Sequence, residues 1–179
     1  LTTPDPNTLI PTVNPVPEPS TEPAGTPVQY QDDELASDIM RTTSSFDSIM
    51  KLVQSRIDDG DLNGAMVALN IQYTTEMAAA RERSDRYCIS PSGTPMHEAW
   101  NAYLNELPML YYRVQMQIEN IGKNYYAKAH ADKITADKIQ ERADQYRRKA
   151  IALAKGEPYE PYTKKDLNQV QLPFSYEDI

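Results

Sequence analysis

The chain has 179 residues, with 26 acidic and 18 basic side chains and a formal net charge of −8. One Cys and two His exclude an intramolecular disulfide framework and a multi-Cys or His-rich metal centre. The acidic balance excludes general nucleic-acid binding, which needs a basic surface against phosphates, and no apolar run approaches the roughly 18 residues that would span a bilayer.

The first 27 residues hold eight of the 14 prolines, no Lys, no Arg and no aromatic residue. Proline removes backbone donors and clashes inside a helical turn, and this segment has too little apolar surface to fold alone. Residues 1–30 are therefore expected to be an extended Pro/Thr-rich stalk or linker. A stalk of this composition, beginning at Leu1 rather than Met, suits the tether of a secreted or lipid-anchored surface protein. The expected location is extracytoplasmic, with membrane proximity supplied by an upstream anchor and not by a transmembrane segment.

Residues 31–156 read as a helical bundle. The first helix is predicted from about Asp33 to Ile57, with Leu35, Ile39, Phe46, Ile49, Val53 and Ile57 on one stripe and Thr42 or Thr43 filling its gap. Gly60 is the expected stop. The second helix is predicted from Leu62 to Arg83, capped by Asp61, with Leu62, Met66, Leu69, Tyr73, Met77 and Ala80 as its stripe. Ser90-Pro91-Ser92-Gly93 is turn chemistry, and Thr94 with Pro95 reads as a cap and first turn. The third helix is predicted to reach Lys128, with a kink near the interior Pro108. The fourth is predicted from Asp132 to Lys155, with the narrow seam Ile139, Ala143, Tyr146, Ala150 and Leu153. Gly156 and Pro158 end it. Residues 157–179 carry Tyr159, Tyr162, Phe174 and Tyr176 and read as an irregular aromatic C-terminal arm.

The fold expected from these elements is all-α: an antiparallel up-down four-helix bundle with a kinked third helix, an extended Pro-rich N-terminal arm and an irregular C-terminal arm. Residues 31–87 carry 11 acids and 6 bases, whereas residues 131–155 carry 7 bases and 4 acids. That asymmetry makes the first hairpin and the last helix expected neighbours.

The run Asp59-Gly60-Asp61-Leu62-Asn63-Gly64 fits D-x-[DN]-x-[DN]-G, the opening of an EF-hand-type calcium loop. Oxygen side chains at alternate positions can converge on one hard cation, so Asp59, Asp61 and Asn63, with the Ala65 carbonyl, are candidate calcium ligands. Position twelve of that register is Asn70, where the motif has a bidentate Glu. An acidic, glycine-containing turn that caps the second helix accounts for the same residues. The pairs Tyr111-Tyr112 and Tyr125-Tyr126 are each expected to turn one ring to the core and one to a flank. Tyr112, Tyr126, Tyr159 and Tyr162 are the candidate partner-binding residues, because tyrosine joins an apolar body to a polar tip. His97 and Glu98 read as solvent-facing polar residues of the first turn, and Cys88 as a buried cysteine at a helix end.

No G-x-S-x-G, phosphate loop or dinucleotide fingerprint is present. The expected function is a non-enzymatic surface module for binding or assembly, acting on a protein partner or on itself without a cofactor. The alternative is an ion-responsive helical module using calcium at Asp59–Asn63.

Overall fold

Steps of three and four between apolar residues recur along most of residues 31–156, and helices form where they do. The structure, a computed structural model, describes residues 27–159. Four helices fill that span, and no strand occurs among the described residues. Helix α1 is Asp32–Asp58. Helix α2 is continuous through three segments: α-helical Leu62–Val67, a π-helical stretch Ala68–Tyr73, and α-helical Thr74–Arg86. Helix α3 is Thr94–Gly122 and α4 is Tyr126–Ala154.

Short turns make sequence neighbours antiparallel, and α1 also packs on α4, which closes the ring. The predicted stripes form the core. Leu35, Ile39, Phe46 and Val53 of α1 meet Leu69, Tyr73 and Ala80 of α2, with Trp100, Tyr103, Leu104 and Leu107 of α3 between them. Phe46 stands edge-on to Tyr73 and Tyr103, with ring centroids 5.3 and 6.1 Å apart. Helix α4 contributes mostly small side chains, Ala136, Ala143 and Ala150 beside Ile139, whereas Tyr146 of the predicted seam is 37% exposed and Leu153 only partly buried. Its later turns join the acidic hairpin through Arg147, which bonds Asp47 of α1.

Four boundaries differ from the sequence expectation, the first being that α2 runs to Arg86 rather than Arg83. Helix α3 ends at Gly122 rather than Lys128, and α4 starts at Tyr126 rather than Asp132. Asn124 takes φ 60°, and the N–H groups of Asn124 and Tyr125 return to the Ile121 and Asn120 carbonyls. That is a Schellman ending with asparagine as the left-handed residue. Asp132 starts nothing: it is buried and accepts from Asn120 Nδ2 at 2.8 Å. Helix α3 begins at Thr94 itself, whose hydroxyl donates to the Ser90 carbonyl instead of accepting as a cap. Pro108 lies on the exposed side, and α3 runs through it.

Both ends of the described chain lie at one pole. Gln31 N–H donates to the Cys88 carbonyl at 2.8 Å, and Cys88 N–H returns to Gln31 Oε1. Asp32 and Ala36 share a crevice there with Leu153 and Ala154. The α1–α2 and α3–α4 turns meet at the other pole, where a Cβ on Gly122 would lie 3.7 Å from Leu62.

Candidate functional site

The Asp59–Gly64 run is a pair of helix caps back to back. Gly60 takes φ 76°, its N–H reaches the Ile57 carbonyl, and Asp61 N–H reaches that of Arg56. This is the Schellman ending of α1, with glycine at the left-handed position. Asp61 then caps α2: its carboxylate accepts from Gly64 N–H at 2.9 Å and pairs with Arg56 at 2.5 Å. The Gly64 N–H, and after it Arg56, hold the Asp61 carboxyl below its ordinary range. A Cβ on Gly64 would lie 2.1 Å from Asp61 Oδ2, so the cap itself requires glycine there.

The four candidate calcium ligands are thus placed as follows. Asp59 is the exposed C-cap of α1, and Asp61 is committed to the cap. Asn63 is exposed in the first turn of α2, and the Ala65 carbonyl accepts from Ala68 N–H. A twelve-residue calcium loop keeps its early positions out of helix, whereas here α2 begins at Leu62. No cluster of three or more His, Cys, Asp or Glu suited to a metal occurs among the described residues.

The tyrosines divide by environment. Tyr111 is half-buried between α2 and α3, where its hydroxyl donates to Asn70 Oδ1 at 2.9 Å and its ring stacks on Tyr73. Tyr112 points outward at 50% exposure, with the Arg113 guanidinium 5.7 Å from its ring centre. The first pair therefore divides as expected. The second does not: Tyr125 and Tyr126 are 53% and 64% exposed, because the Schellman turn ends α3 before either residue. Tyr126 donates to Asn124 Oδ1 at 2.9 Å, and Lys128 Nζ lies 5.0 Å from the Tyr125 ring centre. Tyr159 is half-buried in a crevice with Ala99, Ala102 and Tyr146, at the pole holding the chain ends. Tyr162 lies outside the described residues, as does most of each predicted arm.

Two sequence readings need correction. Cys88 is exposed: it follows the end of α2, in a segment that Gln31 holds through the main chain. His97 faces inward to α2, its Nε2 lying 3.0 and 3.1 Å from the Ser84 carbonyl and hydroxyl, with Asn101 Nδ2 at 3.2 Å. Ser84 is fully buried, and this polar group ties α2 to α3.

Sequence reasoning missed a charged cluster under α1. Asp38, whose side chain is 4% exposed, accepts from Arg83 Nε at 2.9 and 3.1 Å and from Thr42 at 3.2 Å; Arg41 also reaches it. Arg83 continues to Glu76 at 3.2 Å. The signal was present: Leu35, Asp38 and Thr42 step by three and four, which puts the carboxylate on the buried stripe. The same partners balance its charge, and the cluster joins α1 to α2.

No protein-family model, curated protein or solved structure matches this chain.

Proposed function

We propose that the chain is a non-enzymatic, extracytoplasmic binding or assembly module, a helical bundle carried on its Pro-rich N-terminal segment. The observation that carries this reading is the division of labour between the poles. The segments leading to residues 1–26 and 160–179 join the bundle at one pole, while the opposite pole carries exposed Tyr125 and Tyr126 beside the α1–α2 turn. A tether at one end leaves the other end outermost. Exposed tyrosines suit a protein partner, since they supply contact area with little side-chain entropy to lose. Tyr112 extends that surface along α3. Tyr159 is engaged with the chain's own helices, and Tyr162 belongs to the C-terminal arm; in this reading either that arm or the Pro-rich arm docks on a neighbouring subunit. Composition also favours the surface location: the Pro-, Thr- and Glu-containing stalk is polar and unlike a core-forming segment.

The test is photo-crosslinking in the native host, with a benzophenone amino acid at position 112, 126 or, as a control, exposed position 48. Light scattering of the purified full chain accompanies it. Discrete adducts from positions 112 and 126, absent from position 48, are expected, together with loss of the complex in Tyr126→Ala at unchanged melting temperature. No specific adduct at either tyrosine and a monomer at all concentrations would overturn the reading. Protease treatment of intact cells tests the location, and a chain protected until lysis would refute the extracytoplasmic assignment.

A further inference from the structure

After α4 the chain doubles back. Gly156 takes φ 68°, and the N–H groups of Gly156 and Glu157 return to the Leu153 and Ala152 carbonyls. This is a Schellman ending with glycine at the left-handed position. Tyr159 then lies beside Tyr146, about two turns, or roughly 12 Å, back from the end of α4 at Ala154. The chain has thus entered the outer groove between α3 and α4, and it points toward the opposite pole.

The groove is open because the side chains of α3 that face it are small. Ala99 and Ala102 stand across from Tyr146 and Lys149, leaving a crevice of about 370 Å³ in which Tyr159 is half-buried. One turn further along α4, Arg142 spans the two helices and bonds Glu106 of α3 at 2.9 and 2.5 Å. Its side chain is 53% exposed. Met109 follows Ala102 by two turns, so the two lie on one face of α3, and it is 50% exposed. Tyr146, Arg142 and Met109 therefore leave aromatic, cationic and thioether surface exposed beyond the seat of Tyr159.

The sequence repeats the unit that is seated there. Pro158-Tyr159-Glu160-Pro161-Tyr162 places Pro-Tyr twice with one residue between. Proline fixes its own φ and biases the residue before it toward extended backbone. In the polyproline conformation three residues complete one turn and advance about 9 Å, so two tyrosines at this spacing project to one side. On α3, the step from Ala102 to Met109 is about 10 Å. The two repeats match in length and in face.

We propose that residues 160–162 continue along this groove as a strap held within the same chain, with the Tyr162 ring on Met109 and against the Arg142 guanidinium. An aromatic ring gains from contact with both a thioether sulfur and a guanidinium. The strap covers the outer seam between α3 and α4 and makes Tyr162 an anchor of the chain's own bundle. The Pro-rich arm is then the one left to dock on a neighbouring subunit. The strap is independent of the surface formed by Tyr112 and Tyr126, and its failure would leave that surface untouched.

The test follows the Met109 methyl group by NMR in the full chain, with Met40 as the control, since it is also exposed but lies on α1. A ring stacked on Met109 should shift its methyl signal upfield of a free methionine. Tyr162→Ala should abolish that shift and leave Met40 in place, whereas Tyr162→Phe, which keeps the ring, should retain it. A mixture of two isotopically distinct copies separates a strap in its own chain from exchange between chains: Overhauser contacts between the Tyr162 ring and the Met109 methyl are expected within one copy and not between copies. A Met109 signal that is the same in Tyr162→Ala as in the parent would overturn the inference, and so would contacts found only between copies.

Discussion

Asp38 and Arg83 offer the sharpest test of how α1 is held to α2. Replacing Arg83 by Met keeps the length of its stem and removes the guanidinium. The Asp38 carboxylate, 4% exposed, then loses two contacts at 2.9 and 3.1 Å and keeps only Thr42 and Arg41. Removing one partner of a buried pair typically costs about 3–5 kcal/mol. Arg41 is 60% exposed but remains as a second cation, so the low end applies, about 3 kcal/mol. For a domain of this size that is a fall of roughly 10 °C in melting temperature. Asp38→Asn should cost less, about 1–2 kcal/mol, because Arg83 is partly exposed and keeps Glu76. The double variant should cost clearly less than the sum, with a coupling of about 1.5 kcal/mol. Urea denaturation of the four proteins, followed by circular dichroism, measures every term. A loss below about 1 kcal/mol for Arg83→Met, or additivity within about 0.5 kcal/mol, would refute the account of the cluster.

Other expectations concern the caps, acid and the thiol. Gly64→Ala should destabilise despite the better helix propensity of alanine, since its Cβ would strike the Asp61 carboxylate; in an Asp61→Ala background the same change should become stabilising, and a stabilising effect in the parent would sink the argument. Asp61→Ala should lower the melting temperature equally with and without millimolar calcium, whereas a calcium-dependent gain lost only in that variant would restore the ion-responsive reading. Asp32 is held below its ordinary value by the Ser90 hydroxyl and then by the Ser90 N–H, and Asp61 by its cap. Both lowered values add stability that is present above the unfolded carboxylate range near pH 4 and lost as pH falls through the folded values. Stability should therefore decline below about pH 4, with a shallower decline in Asp32→Asn; identical acid profiles would contradict this. Native Cys88 should react with a thiol reagent at one equivalent per chain without denaturant, and a reaction that waits on unfolding would show the thiol to be covered.

The four helices were legible because burial imposes a period on the sequence. Leu35, Ile39, Phe46 and Val53 announce the inner face of α1 with no help from the rest of the chain. Gly60, Asp61 and Gly156 announce ends for a similar reason, since caps are local chemistry. The α3–α4 turn was hidden because asparagine does the work expected of glycine, and because Ile121 and Tyr125 continue the helical step across the break. The π-helical stretch Ala68–Tyr73 has no signature in single residues. The Asp59–Gly64 run carried two readings that share residues, and choosing between them needed the direction of one carboxylate. Cys88 was misread because the burial common to cysteine says little about a segment pinned through its main chain.

The placement of both chain ends at one pole decides how the bundle meets mechanical load. Tension applied between residues 27 and 159 acts across the junction of α1 and α4 at that pole, where each turn of contact is loaded in succession. The helices then peel apart like a zipper at low force. Tension entering by one end and leaving through a partner held at the Tyr125–Tyr126 pole runs along the helix axes instead. Contacts between helices are then sheared together and yield only as a group. The same fold is therefore weak as a link within a strained chain and strong as a terminal grip.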